Sequence, residues 1–536
     1  MRARGATAPL EPSKESSHDL NPQTVQRSDC AGGLLPNLFP EDVTELVEHY
    51  LRFIHDKPHS LFHKLSLWND IQDGRVSKAL LYAICGLRSR FSRADHLSLM
   101  GPELTAKSKR LFQSNLVNVS LENIQTCVLF ANLCATELET ESEALYFGIA
   151  IRMSQIMGLH KTNPDDNLIL REIKARVWWT LFMADRWCSV GLGLPRQIHD
   201  CKRAVDLPMD EYVFQNLHNE QQDNPRPLTL GLWAYMITLV EIFGPVQDLN
   251  RRLVEENVRD EDSDRCVQEF STQLDLWQES LPPHLRLNER NLDQHKEKGL
   301  GGGFVALHLG YHHYATLLYF QYLDPQRTST VMHKSYVNRC KFHASSYSAL
   351  LKMSRDKGEC EAVYATVGHM TLVSSSVLLY TLLFGDENEL PAARENLSFN
   401  FKALVELKRY WPSLERTVNR LFTFQNSCLQ SADTYTHKID RWMVRFLLEH
   451  ALPLDEKVVS LAVSPTAADF AVLSADAQRL SLRGRATGVA LSGFLRFMLH
   501  LQQKTIAESG ASPSGCSTPQ EHAFPHIPGA TGQGVA

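Results

Sequence analysis

Three histidines spaced by four residues are the first group in this chain whose types and spacing could do chemistry. They are His55, His59 and His63. On a helix this spacing would stack the imidazoles on one face, as zinc ligands require. Pro58 lies inside the run and would break a continuous helix there, and a closed zinc site needs four ligands. We therefore predict surface or loop histidines and no metal site.

An acidic cluster offers a second possible chemistry. It consists of Asp260, Glu261, Asp262 and Asp264. Carboxylates can hold Mg²⁺, and an all-helical enzyme of terpene-cyclase type would use them in an apolar pocket to bind a diphosphate. Here they have no apolar neighbours and precede a helix predicted to begin near Ser263, where the helix dipole alone favours negative charge. Such an enzyme is a remote alternative.

Other catalytic motifs do not occur in the sequence. It contains neither the G-x-S-x-G motif of serine hydrolases nor the G-x-x-x-x-G-K-[ST] phosphate loop. The eleven cysteines include no C-x-x-C pair, and their irregular spacing indicates reduced thiols in an intracellular chain. We predict no catalytic residue, no metal and no cofactor.

Composition narrows the class of protein further. Of the 536 residues 43% are hydrophobic and 22% charged, as in globular proteins. The net charge of −6 argues against a surface that binds phosphates throughout. The most apolar run, residues 362–384, is interrupted by His369 and three serines. A membrane helix needs about 20 predominantly apolar residues, so we predict a buried core helix and no membrane association.

The elements that must position these residues are predicted to be helices. From residue 41 to 450, apolar residues recur at steps of three and four, and no alternating run is long enough for a sheet. We predict an all-α fold. The predicted helices cover residues 42–54, 76–91, one beginning after Ser120, 143–157, 171–187, 228–255, 263–280, 304–323, 333–356, 361–384, 391–410 and 413–450, the last with a break near Ser431. Residues 206–227 and 288–303 are predicted loops, the second with a flexible glycine run.

The region from residue 143 to 206 is the most informative. Gly158 is predicted to end one helix in the left-handed conformation of a Schellman stop. The next helix carries Trp178 and Trp179, whose rings point about 100° apart and can both be buried only if the helix packs on two sides. Glu172 and Arg176 form an i,i+4 pair that we place on a more exposed side. This predicts a central core helix; alternatively, one indole lines a small-molecule pocket.

Five segments of the chain occur in the order seen in a known family. They are FIHDKPHSLFH at 53–63, ALLYAICGLRSRF at 79–91, IAIRMSQIMGLH at 149–160, REIKARVWWTLFMADR at 171–186 and Leu207-Pro208. Together they resemble the fungal-specific transcription factor domain, also called the middle homology region of zinc binuclear cluster transcription factors. The resemblance is strongest over residues 39–208 and persists weakly to about Leu323.

The resemblance implies an all-helical regulatory domain that modulates transcription, receives metabolite or protein signals and often mediates dimer contacts. It gives architectural and non-catalytic roles to Gly158, His160, Arg176, Trp178, Trp179, Asp185, Arg186, Gly193 and Pro195. We further expect Asp185 to pair with a nearby arginine and fix the Gly/Pro corner. The residues that would bind an effector are not indicated.

Two features depart from the family pattern. The corner reads Gly193-Leu194-Pro195 where the family usually has Gly-Arg-Pro, with Arg196 displaced. The repeated C-x2-C-x6-C zinc cluster has no counterpart in the sequence, since the only cysteine before residue 80 is Cys30. That module depends on metal to fold. We therefore expect the chain to reach DNA only indirectly or through a missing N-terminal module.

The predicted organisation has four parts. Residues 1–38 form a disordered arm, 39–325 the regulatory domain, 326–450 a helical continuation of the same body, and 451–536 a mostly disordered tail with a weak helix at 488–502. The expected function is a nuclear regulator of a metabolic or secondary-metabolite gene set. It would act with other transcription factors or coregulators, as a homo- or heterodimer, with a possible small-molecule effector. The alternative is a non-DNA-binding effector sensor or an inhibitory partner of complete relatives.

Overall fold

The computed structural model describes residues 38–448 except 58, 91, 93–94, 138, 200–204, 219–228, 257, 325–326, 328–331 and 434–440. Within these residues the regular structure is helical, and β-pairing is limited to two isolated bridges, His55 with His59 and Met209 with Leu230. The all-α prediction is confirmed. The predicted tail with its weak helix at 488–502, and the predicted arm apart from Leu38, lie outside the described residues.

The helices are named here in chain order. The first eight are α1 (Pro40–Phe53), α2 (Lys64–Gln72), α3 (Lys78–Ser89), α4 (Asp95–Ser114), α5 (Leu121–Glu137), α6 (Thr140–Ile156), α7 (Leu168–Leu192) and α8 (Glu211–Gln215). The next nine are α9 (Leu232–Glu255), α10 (Asp260–Ser280), α11 (Glu289–Glu297), α12 (Gly301–Tyr319), α13 (His333–Lys357), α14 (Thr366–Phe384), α15 (Leu390–Lys408), α16 (Leu414–Asp433) and α17 (Arg441–Leu448). Short 3₁₀ turns occur at Pro283–Leu285 and Phe320–Leu323.

Both predicted loops contain helices, so these predictions were wrong. Helix α8 lies within 206–227, and α11 lies within 288–303, where the Asn288 side chain accepts a hydrogen bond from the Asn291 N–H at 2.8 Å and caps the helix. Three of the glycines, Gly301 to Gly303, belong to the first turn of α12, so they are not part of a loop. A Cβ on Gly301 would stand 2.7 Å from Cys360 Sγ, so the start of α12 needs glycine for close approach.

Helix α14 is the most apolar element. By length and composition it is the one helix of the described part that could cross a membrane, but 78% of its most apolar window is buried in the helical body. Its serines have partners inside that body: Ser374 donates to the Ala344 carbonyl at 2.8 Å, and Asn400 donates to Ser375 at 3.0 Å. The predicted core helix is confirmed, and hydrogen bonding explains why polar residues are tolerated in it.

One contiguous apolar core runs from Leu38 to Leu447. Most side chains of α3, α7, α12 and α14 are buried in this core. The core therefore joins helices of the regions predicted as 39–325 and 326–450. It places α7 among neighbours contributed by α5, α6 and α9, which is the environment that two adjacent indoles require.

Candidate functional site

Arg176 lies at the centre of the body, and its side chain is fully buried. Its Nε donates to Glu172 Oε1 at 2.9 Å, its Nη1 to Ser60 Oγ at 3.1 Å, and its Nη2 to the Met209 carbonyl at 2.7 Å. Glu172 also accepts the Met209 N–H at 3.0 Å. The prediction of an exposed pair was wrong, because the segments around residues 60 and 209 cover this face of α7.

Two further carboxylates approach the same guanidinium. Asp56 Oδ1 and Glu211 Oε1 each lie 3.9 Å from Arg176 Nη1, and the Phe214 ring faces the guanidinium carbon at 4.4 Å. Glu211 accepts the N–H groups of Leu232 and Trp233 and so caps α9. Burial raises the pKa of Glu211 to about 7, although Arg176 opposes that rise. This network ties α7, α8 and α9 together.

The three histidines are loop residues, as predicted, but they are buried rather than on the surface. His55 Nε2 accepts the N–H groups of Leu61 and Phe62, His59 Nε2 contacts the Tyr50 hydroxyl at 2.7 Å, and His63 Nδ1 caps α2. Each imidazole therefore satisfies a different part of the turn. Within the described residues no three His, Cys, Asp or Glu side chains are placed to hold a metal ion.

The two indoles of α7 have different surroundings. Trp179 is buried, donates from Nε1 to the Asp206 carbonyl at 2.9 Å and meets Phe182 edge-on. Trp178 is half-buried and packs against His160, with ring centroids 5.9 Å apart. Arg186 is buried with its guanidinium carbon 3.4 Å from the Phe182 ring centroid. These contacts join α7 to the segments that precede and follow it.

Both ends of this unit depend on glycine at positive φ. Gly158 has φ +74°, and the Leu159 N–H donates to the Ser154 carbonyl at 2.9 Å, which is the predicted Schellman stop. Gly193 ends α7 at φ +66° and is followed by the exposed Pro195. L-residues with a Cβ are disfavoured in this conformation.

Asp185 is buried and fixes the chain beyond this corner. It accepts the Gln197 N–H at 3.0 Å on both oxygens and the Ile198 N–H at 2.9 Å. The carboxylate therefore holds the corner through backbone amides. Its pairing with an arginine stays a prediction.

The acidic cluster at the start of α10 is held by arginines. Asp262 contacts Arg259 Nη2 at 2.8 Å, and Asp264 contacts Arg327 at 2.6 Å. None of these carboxylates lines the mainly apolar cavity described below. That cavity therefore gives the terpene-cyclase alternative no support.

A cavity of about 150 Å³ lies between α1, α3, α5, α6, α7, α14 and α16. Its walls are mainly apolar, with Phe53, Leu87, Phe147, Ala184 and Leu414 among them. The indoles that line it are Trp187 and Trp411, not Trp178 or Trp179. Ser413, Arg416 and Thr417 are half-exposed, as are Glu143 and Cys188 on the helices α6 and α7.

Glu143 is the only acidic residue among the described residues that line this cavity. Burial raises its pKa to about 7, and a hydrogen bond with Cys188 lowers it only in part. Burial also raises the pKa of the Cys188 thiol, which therefore stays neutral. The cavity thus offers an apolar volume with one carboxyl that can be either protonated or ionised near neutral pH.

Sequence reasoning did not find this cavity. The sequence pattern placed Glu143 at the start of a helix but gave no sign that it lines a cavity. The residues that line the cavity with it, such as Trp187, His369 and Trp411, lie on other elements far away in sequence. A local signal could have been a glutamate on an otherwise apolar helix face. The cavity itself depends on how seven helices pack, which periodicity does not specify.

Together these features describe an all-helical body with buried ion pairs and a mainly apolar cavity. Residues 47–279 match the family described as "Fungal specific transcription factor domain". These residues therefore form a domain of the fungal-specific transcription factor type, which is a domain of transcription factors and not of enzymes.

Several curated proteins are similar to the chain. Zn(2)-C6 fungal-type transcription factor FTF2 of Fusarium oxysporum f. sp. lycopersici is 24% identical over 74% of this chain and 40% of its own length. Factor FTF1c of the same organism is 24% identical over 80% of this chain and 50% of its own length. An uncharacterized transcriptional regulatory protein of Schizosaccharomyces pombe is 23% identical over half of this chain. The chain thus spans half or less of the length of these relatives.

Proposed function

We propose that this chain is the regulatory part of a nuclear transcription regulator that controls a metabolic or secondary-metabolite gene set. The observation that carries the proposal is the family match over residues 47–279, the region that contains the Arg176 network and most of the cavity-lining helices. The relatives in two fungi are named as transcription factors or transcriptional regulators, which supports the same role.

The regulator acts with other transcription factors or coregulators, and as a homo- or heterodimer. Contact with DNA comes through those partners or through a zinc-cluster module encoded beside these 536 residues. The match to this chain covers only 40% and 50% of the length of the two relatives named as Zn(2)-C6 factors. The uncovered length of these relatives supports the second route. Genomic sequence upstream of Met1 decides between the routes: an open C-x2-C-x6-C reading frame favours the module, and its absence favours the partners.

Deletion of the gene combined with RNA profiling tests the proposal. We expect a defined set of metabolic genes to change, and a tagged copy to accumulate in the nucleus. An R176M copy provides a matched variant, since the loss of a buried ion pair should destabilise the helical body and shift the transcript profile towards that of the deletion. An unchanged transcriptome together with an exclusively cytosolic tagged protein would overturn the proposal.

The cavity favours a second candidate, an effector sensor or inhibitory partner that itself does not contact DNA. In this case the chain would bind a small molecule and pair with complete relatives. Chromatin immunoprecipitation of the tagged chain separates the two candidates. Occupancy that disappears when a complete relative is deleted supports the sensor or inhibitor, whereas occupancy independent of every relative supports the regulator with its own DNA-binding module.

A further inference from the structure

The cavity is lined on α6 by the Glu143 carboxyl, which forms no ion pair with any of the described residues. We propose that this cavity binds a compact, mainly apolar molecule with one basic nitrogen, and that Glu143 accepts the hydrogen bond from that nitrogen. The proposal deepens the effector role described above and rests on it for its biological meaning, but the binding can be tested with the purified chain.

The volume limits the size of the ligand. A cavity of about 150 Å³ in a protein core can hold a benzene-sized molecule. The half-exposed residues Ser413 and Thr417 allow a short substituent to extend from such a ring. A single ring with a two-carbon chain that ends in an amine therefore suits the space.

Glu143 differs in its polar partners from the two glutamates of the Arg176 network. Glu172 is paired with the Arg176 guanidinium at 2.9 Å, and Glu211 caps two backbone N–H groups of α9. Glu143 has only the neutral Cys188 thiol as a polar partner among the described residues that shift its pKa. Glu143 is half-buried. A carboxylate that is partly removed from water is destabilised unless it is paired, and a protonated amine would supply the partner.

The other titratable groups of the cavity do not compete for this role. His59 is engaged with the Tyr50 hydroxyl and Asn132, and burial lowers its pKa to about 3, so it is neutral. Burial raises the pKa of Tyr364, which is likewise neutral. Arg416 is half-exposed, and its charge is not among the causes that shift the pKa of Glu143. His369 also lines the cavity. A cationic nitrogen therefore finds its complement at Glu143.

Isothermal titration of the full chain at pH 7.5 tests the proposal with three probes of one shape: 2-phenylethylamine, 2-phenylethanol and phenylacetate. We expect the amine to bind at least about tenfold more tightly than the alcohol, because a charge-assisted hydrogen bond is stronger than a neutral one. Phenylacetate should bind most weakly. In E143Q the preference for the amine should disappear, whereas E141Q, an exposed change on the same helix, should retain it.

Several outcomes would overturn the proposal: no binding of the amine, equal binding of alcohol and amine, or an amine preference that persists in folded E143Q. Circular dichroism shows whether E143Q is folded. If E143Q is not folded, the comparison of the three probes on the unaltered chain still tests whether the cavity prefers an amine. The binding experiment uses the purified chain, whereas the proposed function is tested by transcript changes after gene deletion. A negative result in one experiment therefore does not imply a negative result in the other.

Discussion

The guanidinium Nε of Arg176 lies 2.9 Å from Oε1 of Glu172, one helical turn away, in a place where Arg176 is fully buried and Glu172 nearly so. An identical spacing on the surface is an ordinary feature of helices, and its contribution to stability is small. Here the same pair also binds the backbone of Met209 and the hydroxyl of Ser60. It therefore links α7 to two distant segments of the chain.

Removal of one partner should leave buried charge without compensation. We expect R176M to lower the free energy of unfolding by about 3–5 kcal/mol, the usual cost of breaking a buried ion pair. Urea unfolding monitored by circular dichroism measures it. The matched control is R252M, which removes an i,i+4 partner of Glu256 whose side chain is 57% exposed. It should cost no more than about 0.5 kcal/mol, and similar losses in both variants would contradict the central role of Arg176.

Asp185 provides a prediction about the corner after α7. In D185A the amides of Gln197 and Ile198 lose their acceptor, so we expect faster hydrogen exchange at both positions and a loss of about 1–3 kcal/mol in stability. The control is D248A, which removes a half-exposed partner of Arg196 beside the same corner. Unchanged exchange at 197 and 198 in D185A would show that other contacts hold this segment.

Helices with a strongly periodic apolar pattern were predictable from the sequence, whereas a helix that contains a helix-breaking residue was not. The bounds of α13 were predicted within one residue, because its apolar stripe is regular and Gly358 follows it. Helix α4 was missed, since Pro102 lies inside it. Its Ser108 hydroxyl donates to the Ala79 carbonyl of α3 at 2.5 Å. Tertiary contacts of this kind outweigh local propensity.

The candidate site shows the same limit. Arg176 was recognised as one of a pair, but its burial follows from the segments around Ser60 and Met209, which periodicity cannot position. The tandem tryptophans indicated a central helix. The cavity is instead lined by Trp187, about two turns further along α7, and by Trp411, which lies between α15 and α16 more than 200 residues later in the chain. Contacts between such distant residues leave no mark in local sequence.

Gly158 offers a test of backbone conformation that is free of packing effects. No atom lies within 4 Å of a Cβ built at this position, so G158A should cost only the strain of φ +74° in an L-residue, about 1 kcal/mol. Thermal unfolding measures the change. The control is G148A within α6, where a Cβ meets only the Gln197 side chain at 3.4 Å. Alanine favours a helix interior, so G148A should not lower stability; equal losses would disprove the assignment of strain.

Glu143 gives a prediction about pH. Burial raises its pKa in the folded chain to about 7, whereas a glutamate in the unfolded chain has a pKa of about 4.3. Between these values the unfolded chain loses the proton and the folded chain keeps it. The contribution of the protonated carboxyl to stability is therefore complete below about pH 4.3 and is lost as the pH rises to about 7.

E143Q replaces the carboxyl by a neutral amide and should therefore remove the loss of stability that ionisation of Glu143 causes as the pH rises. We expect the variant to be more stable than the unaltered chain by roughly 1–3 kcal/mol at pH 7.5, with the difference vanishing towards pH 4.5. Urea unfolding across this range measures it. Because His59, Cys188, Tyr364, His369 and Arg416 line the same cavity in both proteins, their titration cancels in the difference unless the substitution changes their surroundings. The exposed E141Q change should give a flat difference. A flat difference in E143Q as well would mean that Glu143 is already paired, and that no amine is needed to complete it.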